Sequence, residues 1–121
     1  MKFTRETPAA VTIRRVSSEG IHIGDTVHTS TLALTSEEVL GAWNAKPVRE
    51  LEPCDFDELL ATEPELVLLG TGQRVEFAPR EVTFALARKQ VGLEVMDTAA
   101  AARTFNVLVG EGRRVSALLY L

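Results

Sequence analysis

Two segments in the second half of the chain each join a short apolar run to a helix-like stretch. The first run covers residues 66–72 (LVLLGTG), and the second segment covers residues 92–106 (GLEVMDTAAAARTFN). A strand that leads into a helix, repeated along the chain, is typical of parallel βα units. Because parallel strands end at the same edge of a sheet, the turns at 70–72 and 97–98 are predicted to lie together, at the edge where α/β folds usually bind ligands.

The first third of the chain is predicted to be a β meander. Residues 11–16 alternate well enough for a half-exposed strand. Gly24-Asp25 is expected to form a hairpin turn, because a leading glycine accepts a positive φ without steric cost. Residues 29–34 are a further apolar run and are expected to add another strand.

The remaining elements follow from capping and breaking residues. Thr35 and Glu38 have the Thr-x-x-Glu spacing of a capping box, which predicts a short helix starting there. Pro79 is expected to open a helix that Gly92 ends, and residues 115–121 are expected to form the last strand. The predicted fold class is α/β, with the meander followed by βαβαβ units in a mixed central sheet flanked by helices.

Size and charge narrow the class of protein. The 121 residues, 45% hydrophobic and 25% charged, predict one soluble globular domain over residues 1–121. We expect no transmembrane segment, because no apolar run approaches the roughly 20 residues that span a bilayer. We also expect a cytoplasmic location, because the start of the chain has neither a secretory h-region nor an Arg-rich presequence. A net charge of −4 with scattered Lys and Arg argues against nucleic acid as a partner. The single cysteine, Cys54, excludes an intrachain disulfide.

Gly70-Thr71-Gly72 is a candidate anion-binding turn. Glycine lets the backbone approach an anion closely, and Thr71 adds a hydroxyl donor. The dinucleotide fingerprint needs G-x-G-x-x-G running straight into a helix, but here Val75 holds the third position and the phosphate-loop lysine is missing. Two interpretations remain open: a tight strand-exit turn without a ligand, and a site for a small anion or metabolite.

The second turn offers a carboxylate and a cap. Asp97-Thr98 is expected to cap the following helix, which is the commoner use of such a residue, and the alternative is that Asp97 serves as a general base or binds a hydroxyl group of a ligand. Arg103 and Asn106 lie about one turn apart on that helix and are expected to share a face. They either point towards the Gly70–Gly72 turn, where Arg103 would complete the charge of an anion site, or form the polar side of the helix.

The sequence predicts no catalytic centre, metal site or cofactor. His22 and His28 would project from opposite faces of the hairpin, since residue 22 is expected to oppose 27 and residue 28 to oppose 21. No third ligand stands nearby at a metal-site spacing. The chain shows no nucleophile elbow and no CxxC motif.

Residues 66–119 resemble a small α/β family of unknown function whose mitochondrial member is an assembly factor for respiratory complex I. Three blocks carry the resemblance: LLGTG at 68–72 with Phe77 and Pro79, EVMDT at 94–98 with RTFNVL at 103–108, and EGR at 111–113 before the last strand. The resemblance implies one three-layer domain, in which a mixed sheet lies between helices and a smaller β layer. Many members carry a cysteine before the arginine of the second block, where this chain has Ala102, and no reaction or cofactor follows from the family.

Two hypotheses about function result. The first is a non-enzymatic protein-interaction module that helps to assemble or stabilise a respiratory or other protein complex, with membrane contact only through that partner. The second is a small-metabolite or anion binder, or an enzyme, that uses a cleft at Gly70–Gly72 and Asp97-Thr98. The sequence leaves self-association open under either hypothesis.

Overall fold

The computed structural model of the protein describes residues 11–43 and 46–121. Within these residues, no helix is long and apolar enough to cross a bilayer. The helices are α1 (Asp57–Leu60), α2 (Arg80–Arg88) and α3 (Thr98–Gly110), and 3-10 turns occupy Val48–Glu50 and Pro53–Phe56. The strands are β1 (Ile13–Ser17), β2 (Gly20–Ile23), β3 (Thr26–His28), β4 (Leu32–Thr35), β5 (Val39–Ala42), β6 (Leu66–Thr71), β7 (Gly92–Met96) and β8 (Val115–Tyr120).

The meander forms a small antiparallel sheet of its own, in the order β1-β2-β3. Gly24 has a φ of +57° in the turn that joins β2 to β3. His22 pairs with Val27 and His28 pairs with Ile21. The predicted hairpin and its register are therefore confirmed, and the two imidazole rings project from opposite faces because neighbouring residues of a strand alternate between them.

A mixed five-stranded sheet, in the order β5-β4-β8-β6-β7, forms the centre of the molecule. β6 is parallel to both β7 and β8, whereas β4 is antiparallel to β8 and β5. The predicted βαβαβ order is confirmed, with α2 and α3 as the two crossovers. The strand predicted at 29–34 is present as β4, but it pairs with β8 in the central sheet rather than with the small sheet.

Both faces of the central sheet are covered, which confirms the three layers. On one face, Leu68 of β6 packs with Phe105 of α3 and Ile21 of β2. On the other face, Leu69 packs with Leu86 of α2, in a cluster that also includes residues of α1 and the 3-10 turns. The continuous apolar run of β6 is explained by this burial on both sides.

The helix predicted to begin at Thr35 is wrong, because a hairpin turn takes its place. The Thr35 hydroxyl accepts hydrogen bonds from the backbone N–H groups of Glu37 and Glu38, both at 3.1 Å, as an N-cap would. Val39 then pairs with Leu34 in the antiparallel ladder between β4 and β5. The hydrogen bonds to the Thr35 hydroxyl are therefore compatible with either a helix start or a hairpin turn. The turn forms because the residues after it pair with β4 as a strand.

The end of α2 also differs from the prediction. Pro79 lies at the N-cap of α2 as expected, but the helix ends at Arg88. Gln90, with a φ of +63°, adopts the left-handed conformation that turns the chain. Gly92 is already the first residue of β7, so glycine is not the residue that ends this helix.

Candidate functional site

A cleft opens where the three parallel strands end. β6, β7 and β8 finish at Thr71, Met96 and Tyr120. The segments that follow them, together with the turn between β1 and β2, enclose a cleft of about 310 Å³. This is the edge at which α/β sheets bind ligands, and the volume lies at the lower end of roughly 300–1,000 Å³ for small-molecule pockets. Its walls include Ser17, Ser18, Gln73, Asp97, Thr98, Tyr120 and Leu121.

Thr98 connects two of the strand ends through its side chain. Its hydroxyl accepts a hydrogen bond from the Gly72 N–H at 2.8 Å and donates one to the Tyr120 carbonyl oxygen at 2.5 Å. The Thr98 N–H in turn donates to the Gly72 carbonyl oxygen at 2.9 Å. Sequence reasoning considered Thr98 only as a cap or cleft residue and missed this connection, because the Tyr120 carbonyl has no sequence signal.

At Gly70, the backbone of β6 packs closely against the start of α3. A Cβ atom at this position would lie 3.0 Å from the Thr98 Cα and 2.9 Å from the Leu119 Cδ2. Side chains of other residues would therefore push α3 away from the sheet. Glycine is needed at residue 70 for helix–sheet packing, independently of any ligand.

Thr71 closes the loop that follows β6. Its hydroxyl donates to the Arg74 carbonyl oxygen at 2.6 Å and accepts from the Glu76 N–H at 3.1 Å. The Gly72 N–H is bound to Thr98, as described above. The groups that were predicted to hold an anion thus already have partners within the protein, and of the three residues of this turn only Gly72 lines the cleft. Their ligand-binding role stays a prediction.

Asp97 caps α3, as predicted. Its Oδ1 accepts a hydrogen bond from the Ala100 N–H at 2.8 Å. Asp97 also lines the cleft, where it is the one side chain with a carboxylate among the described lining residues, and no Lys or Arg side chain accompanies it there. A carboxylate in the wall favours a ligand that donates hydrogen bonds over an anion, so the charge of this cleft differs from that of an anion site.

The Asp97→Ala substitution should lower the free energy of unfolding by about 0.5–2 kcal/mol, because the Ala100 N–H loses its cap. Urea unfolding would measure this loss. Arg103→Ala on the same helix is the control, since Arg103 is exposed and surface substitutions usually change stability by less than about 0.5 kcal/mol. A more stable Asp97→Ala variant would instead show that the carboxylate is held at a cost, as at functional sites.

Arg103 and Asn106 share a face of α3, as predicted, but that face lies outside the cleft. Both line a neighbouring groove of about 280 Å³ together with Arg14 and Arg15 of β1. The Asn106 Oδ1 accepts from the Ile13 N–H at 2.9 Å, and its Nδ2 donates to the Ile13 carbonyl oxygen at 2.8 Å. Asn106 therefore attaches β1 to α3 through both polar atoms of its amide.

The structure brings Ser17 and His22 together, which sequence reasoning did not predict. The Ser17 Oγ lies 2.8 Å from the His22 Nε2, across the hairpin of β1 and β2. Glu19 Oε1 approaches the same nitrogen at 4.0 Å. A Ser-His-acid triad requires the hydroxyl and the carboxylate to contact different nitrogens of the ring. Here both approach Nε2, so the three residues do not form such a triad. Within residues 11–43 and 46–121, no three His, Cys, Asp or Glu side chains gather as a metal site.

Tyr120, the only tyrosine of the chain, lies half-buried at the end of β8. Its hydroxyl donates to the Lys46 carbonyl oxygen at 2.7 Å, and its ring meets that of Trp43 edge-on with 6.2 Å between centroids. Burial, and to a smaller extent the charge of Asp55, raises the pKa of Tyr120 to about 12. The phenol is therefore neutral in the folded protein well above its ordinary pKa.

This pKa predicts a loss of stability in alkaline solution. The folded protein favours the protonated phenol more than the unfolded chain does. The stability that Tyr120 contributes is therefore complete below its ordinary pKa of 10.0, and it is lost as the pH rises from there towards about 12. Tyrosinate absorbance should titrate near 12 in the folded protein and near 10.0 after unfolding in urea. Asp55→Asn should lower the folded midpoint, because it removes a negative charge. A folded midpoint at the ordinary value would contradict this environment.

The loop between β6 and α2 exposes apolar side chains. Phe77 is 85% exposed and Val75 is 52% exposed. Phe84, on the helix that this loop enters, is 53% exposed. Contiguous exposed apolar surface is typical of a site that another molecule covers, and Val75 and Phe77 lie two residues apart in this loop. Sequence reasoning used Phe77 only as part of a family block.

Comparison with known families and proteins places the chain among related sequences. A family model described as a protein of unknown function (DUF498/DUF598) matches residues 13–120. The assembly factor 3 of the NADH dehydrogenase (ubiquinone) 1 alpha subcomplex from Bos taurus is 33% identical over 117 residues, which are 95% of this chain and 63% of that protein. The chain thus spans slightly less than two thirds of the length of this relative.

A bacterial relative and a solved structure extend the comparison. The 13 kDa major membrane protein of Francisella tularensis subsp. holarctica (strain LVS) is 30% identical over 100 residues, which are 82% of this chain and 80% of that protein. The NMR structure of a Xanthomonas campestris protein superposes with a TM-score of 0.85 at 33% identity and covers 99% of this chain and 92% of the other.

Proposed function

This chain belongs to the DUF498/DUF598 family of proteins of unknown function, and on that premise we propose that it is a non-enzymatic interaction module that helps to assemble or stabilise an NADH dehydrogenase complex. The Bos taurus relative is named as an assembly factor of such an enzyme. The Francisella tularensis relative is named as a membrane protein. We propose that this chain stays in the cytoplasm and reaches a membrane only through its partner.

The exposed ring of Phe77 carries this proposal. The side chain is 85% exposed, so most of its apolar surface is in contact with water. Burial of that surface against a partner would be favourable. Aromatic side chains, phenylalanine included, are enriched in the cores of protein–protein interfaces. The proposed occupant of this surface is a protein subunit with an apolar pocket, and Val75 lies two residues from the anchor to widen the contact.

Removal of the ring tests the proposal. A tagged chain is purified from its native host beside Phe77→Ser and Val107→Ser variants. Val107, on α3, is 59% exposed and serves as the control for loss of exposed apolar area. Subunits of NADH dehydrogenase should co-purify with the unmodified chain and with Val107→Ser, and should be lost with Phe77→Ser. A hot-spot aromatic contributes at least about 2 kcal/mol, or roughly a thirtyfold weaker complex on removal.

Two results would count against this function. Equal recovery of NADH dehydrogenase subunits with Phe77→Ser and the unmodified chain would remove Phe77 as the anchor. Normal amounts of assembled NADH dehydrogenase in cells without the protein would contradict the assembly role itself. Both variants should fold normally, because exposed positions usually change stability by less than about 0.5 kcal/mol.

A second function is supported by a separate observation, the cleft of about 310 Å³ at the carboxyl ends of the strands. The proposed ligand is a small metabolite with a neutral part that lies in the cleft, where its hydroxyl or amino groups donate to Asp97. A thermal-shift panel of such compounds tests it, since a ligand at about 100 times its Kd stabilises a protein by about 2.7 kcal/mol. A compound that stabilises the unmodified chain but not Asp97→Asn would support this function, whereas a panel without any shift would count against it.

A further inference from the structure

A groove lined by arginines lies beside the cleft. Arg14 and Arg15 come from β1, and Arg103 comes from α3 on the opposite wall. The groove has a volume of about 280 Å³. Three arginines from two elements therefore line one depression, although the whole chain has a net charge of −4.

These arginines have no carboxylate partner within residues 11–43 and 46–121. The ion pairs found there involve His22, Lys46 and Arg113 instead. Arg14 donates from Nη1 to the Gly24 carbonyl oxygen at 2.9 Å, and this neutral acceptor orients the side chain without neutralising its charge. Like charges gathered in one groove repel each other, and an anion bound between them would relieve that repulsion.

The groove exists because of how β1 sits on α3. Asn106 holds the backbone of Ile13 through two hydrogen bonds. Ala99 and Ala102 line the space next to this attachment with small side chains. The Asn106 amide is held in place by Ile13 and is uncharged, so the arginines are the groove's charged donors.

The groove adjoins the cleft at the carboxyl ends of the strands. Val16 and Ala99 line both depressions. The cleft carries Asp97 and hydroxyl groups, whereas the groove carries positive charge. One molecule with a neutral body and an anionic end would therefore match both chemistries.

We propose that this groove binds the phosphate group of a small soluble molecule whose neutral part lies in the adjoining cleft. The guanidinium fork matches the oxygens of phosphate, and a phosphate ester carries about −1.5 to −2 charges at neutral pH. Cationic side chains attract such a group, whereas the carboxylate of Asp97 in the cleft repels it. The proposed site thus lies on the β1–α3 face, and not at the Gly70–Gly72 turn, where the Gly72 N–H and the Thr71 hydroxyl already donate within the protein.

Pyrophosphate binding tests the groove directly, by calorimetric titration at constant ionic strength. Binding should be saturable with the unmodified chain and roughly ten- to hundredfold weaker in Arg103→Gln and in Arg15→Gln, because each loses charge-assisted hydrogen bonds. Arg103→Lys, which keeps the charge without the fork, should lose less. Arg88→Gln is the matched control, since Arg88 lies in the last turn of α2, which covers the other face of the sheet. Absence of saturable binding, or equal weakening in Arg88→Gln, would overturn the proposal.

Vesicles separate a soluble ligand from a lipid headgroup that carries the same phosphate chemistry. Phosphatidylglycerol vesicles should not bind the chain at physiological salt if the ligand is a small molecule. Vesicle binding that Arg103→Gln abolishes, without any binding of pyrophosphate, would overturn the small-molecule proposal. The inference deepens the small-molecule function and is independent of the partner function. If the groove alone is wrong, neutral ligands of the cleft should still bind Arg103→Gln as tightly as the unmodified chain.

Discussion

Replacement of Thr98 by valine should lower the free energy of unfolding by about 2–4 kcal/mol, although valine has nearly the same shape. The side chain is 2% exposed, so water cannot replace its hydroxyl. Valine would leave the Gly72 N–H and the Tyr120 carbonyl oxygen without the partner that Thr98 provides. Each buried group left unsatisfied costs about 1–3 kcal/mol.

Thr98→Ser is the matched control for this experiment. Serine keeps the hydroxyl and removes one buried methyl group, which is worth about 0.8 kcal/mol. Urea unfolding should therefore rank the unmodified chain first, serine second and valine last. Hydrogen exchange at the Gly72 amide should accelerate in the valine variant only. A valine variant as stable as the serine variant would show that the hydroxyl does not connect the strand ends.

Asn106→Leu should also cost about 2–4 kcal/mol, for a related reason. Ile13 is 3% exposed, and both of its backbone polar groups are satisfied by the Asn106 amide. Leucine has a similar size but no polar atoms, so an N–H and a C=O group would lose their partners together. Urea unfolding measures the total cost, and hydrogen exchange at Ile13 shows whether β1 detaches from α3.

Arg103→Ala is the control for Asn106→Leu, because it changes an exposed side chain one turn away and should leave stability within about 0.5 kcal/mol. The leucine variant should in addition weaken pyrophosphate binding, since Arg14 and Arg15 depend on β1 for their position beside Arg103. If Asn106→Leu costs less than about 0.5 kcal/mol, water replaces the amide and β1 is held by apolar contacts alone.

These two residues decide how the depressions are shaped. Thr98 holds together the ends of the strands that border the cleft, and Asn106 holds β1 at the border of the groove. Neither side chain needs a ligand to explain its presence. Substitutions there are therefore expected to alter both sites indirectly, so ligand binding is better tested at Asp97, Arg15 and Arg103.

Local patterns predicted much of the fold because their physical causes act over a few residues. The Asp97 cap needs only the Ala100 N–H three residues on. The Gly24-Asp25 turn determines the register of the hairpin between β2 and β3. The apolar run of β6 indicates burial on both faces regardless of which elements cover it.

A local pattern that fits two different structures could not be assigned to one of them from the sequence. Thr35 accepts hydrogen bonds from the Glu37 and Glu38 N–H groups both in a helix cap and in the turn that the structure contains. The chain becomes a strand because Val39 can pair with β4, which itself pairs with β8. That partner lies about eighty residues later in the sequence, beyond any local pattern.

The sequence by itself determined the α/β class, the parallel βα units and the edge at which their turns meet, because periodicity, caps and breaking residues act between near neighbours. Only the tertiary structure decided what those turns do. Asn106 and Ile13 are 93 residues apart, and Thr98 meets the Tyr120 carbonyl 22 residues away. A donor can bond to an acceptor that is distant along the chain, and a local pattern cannot reveal such a partner. The donors of the Gly70–Gly72 turn therefore bond within the protein, whereas the arginines of β1 and α3 line a common groove.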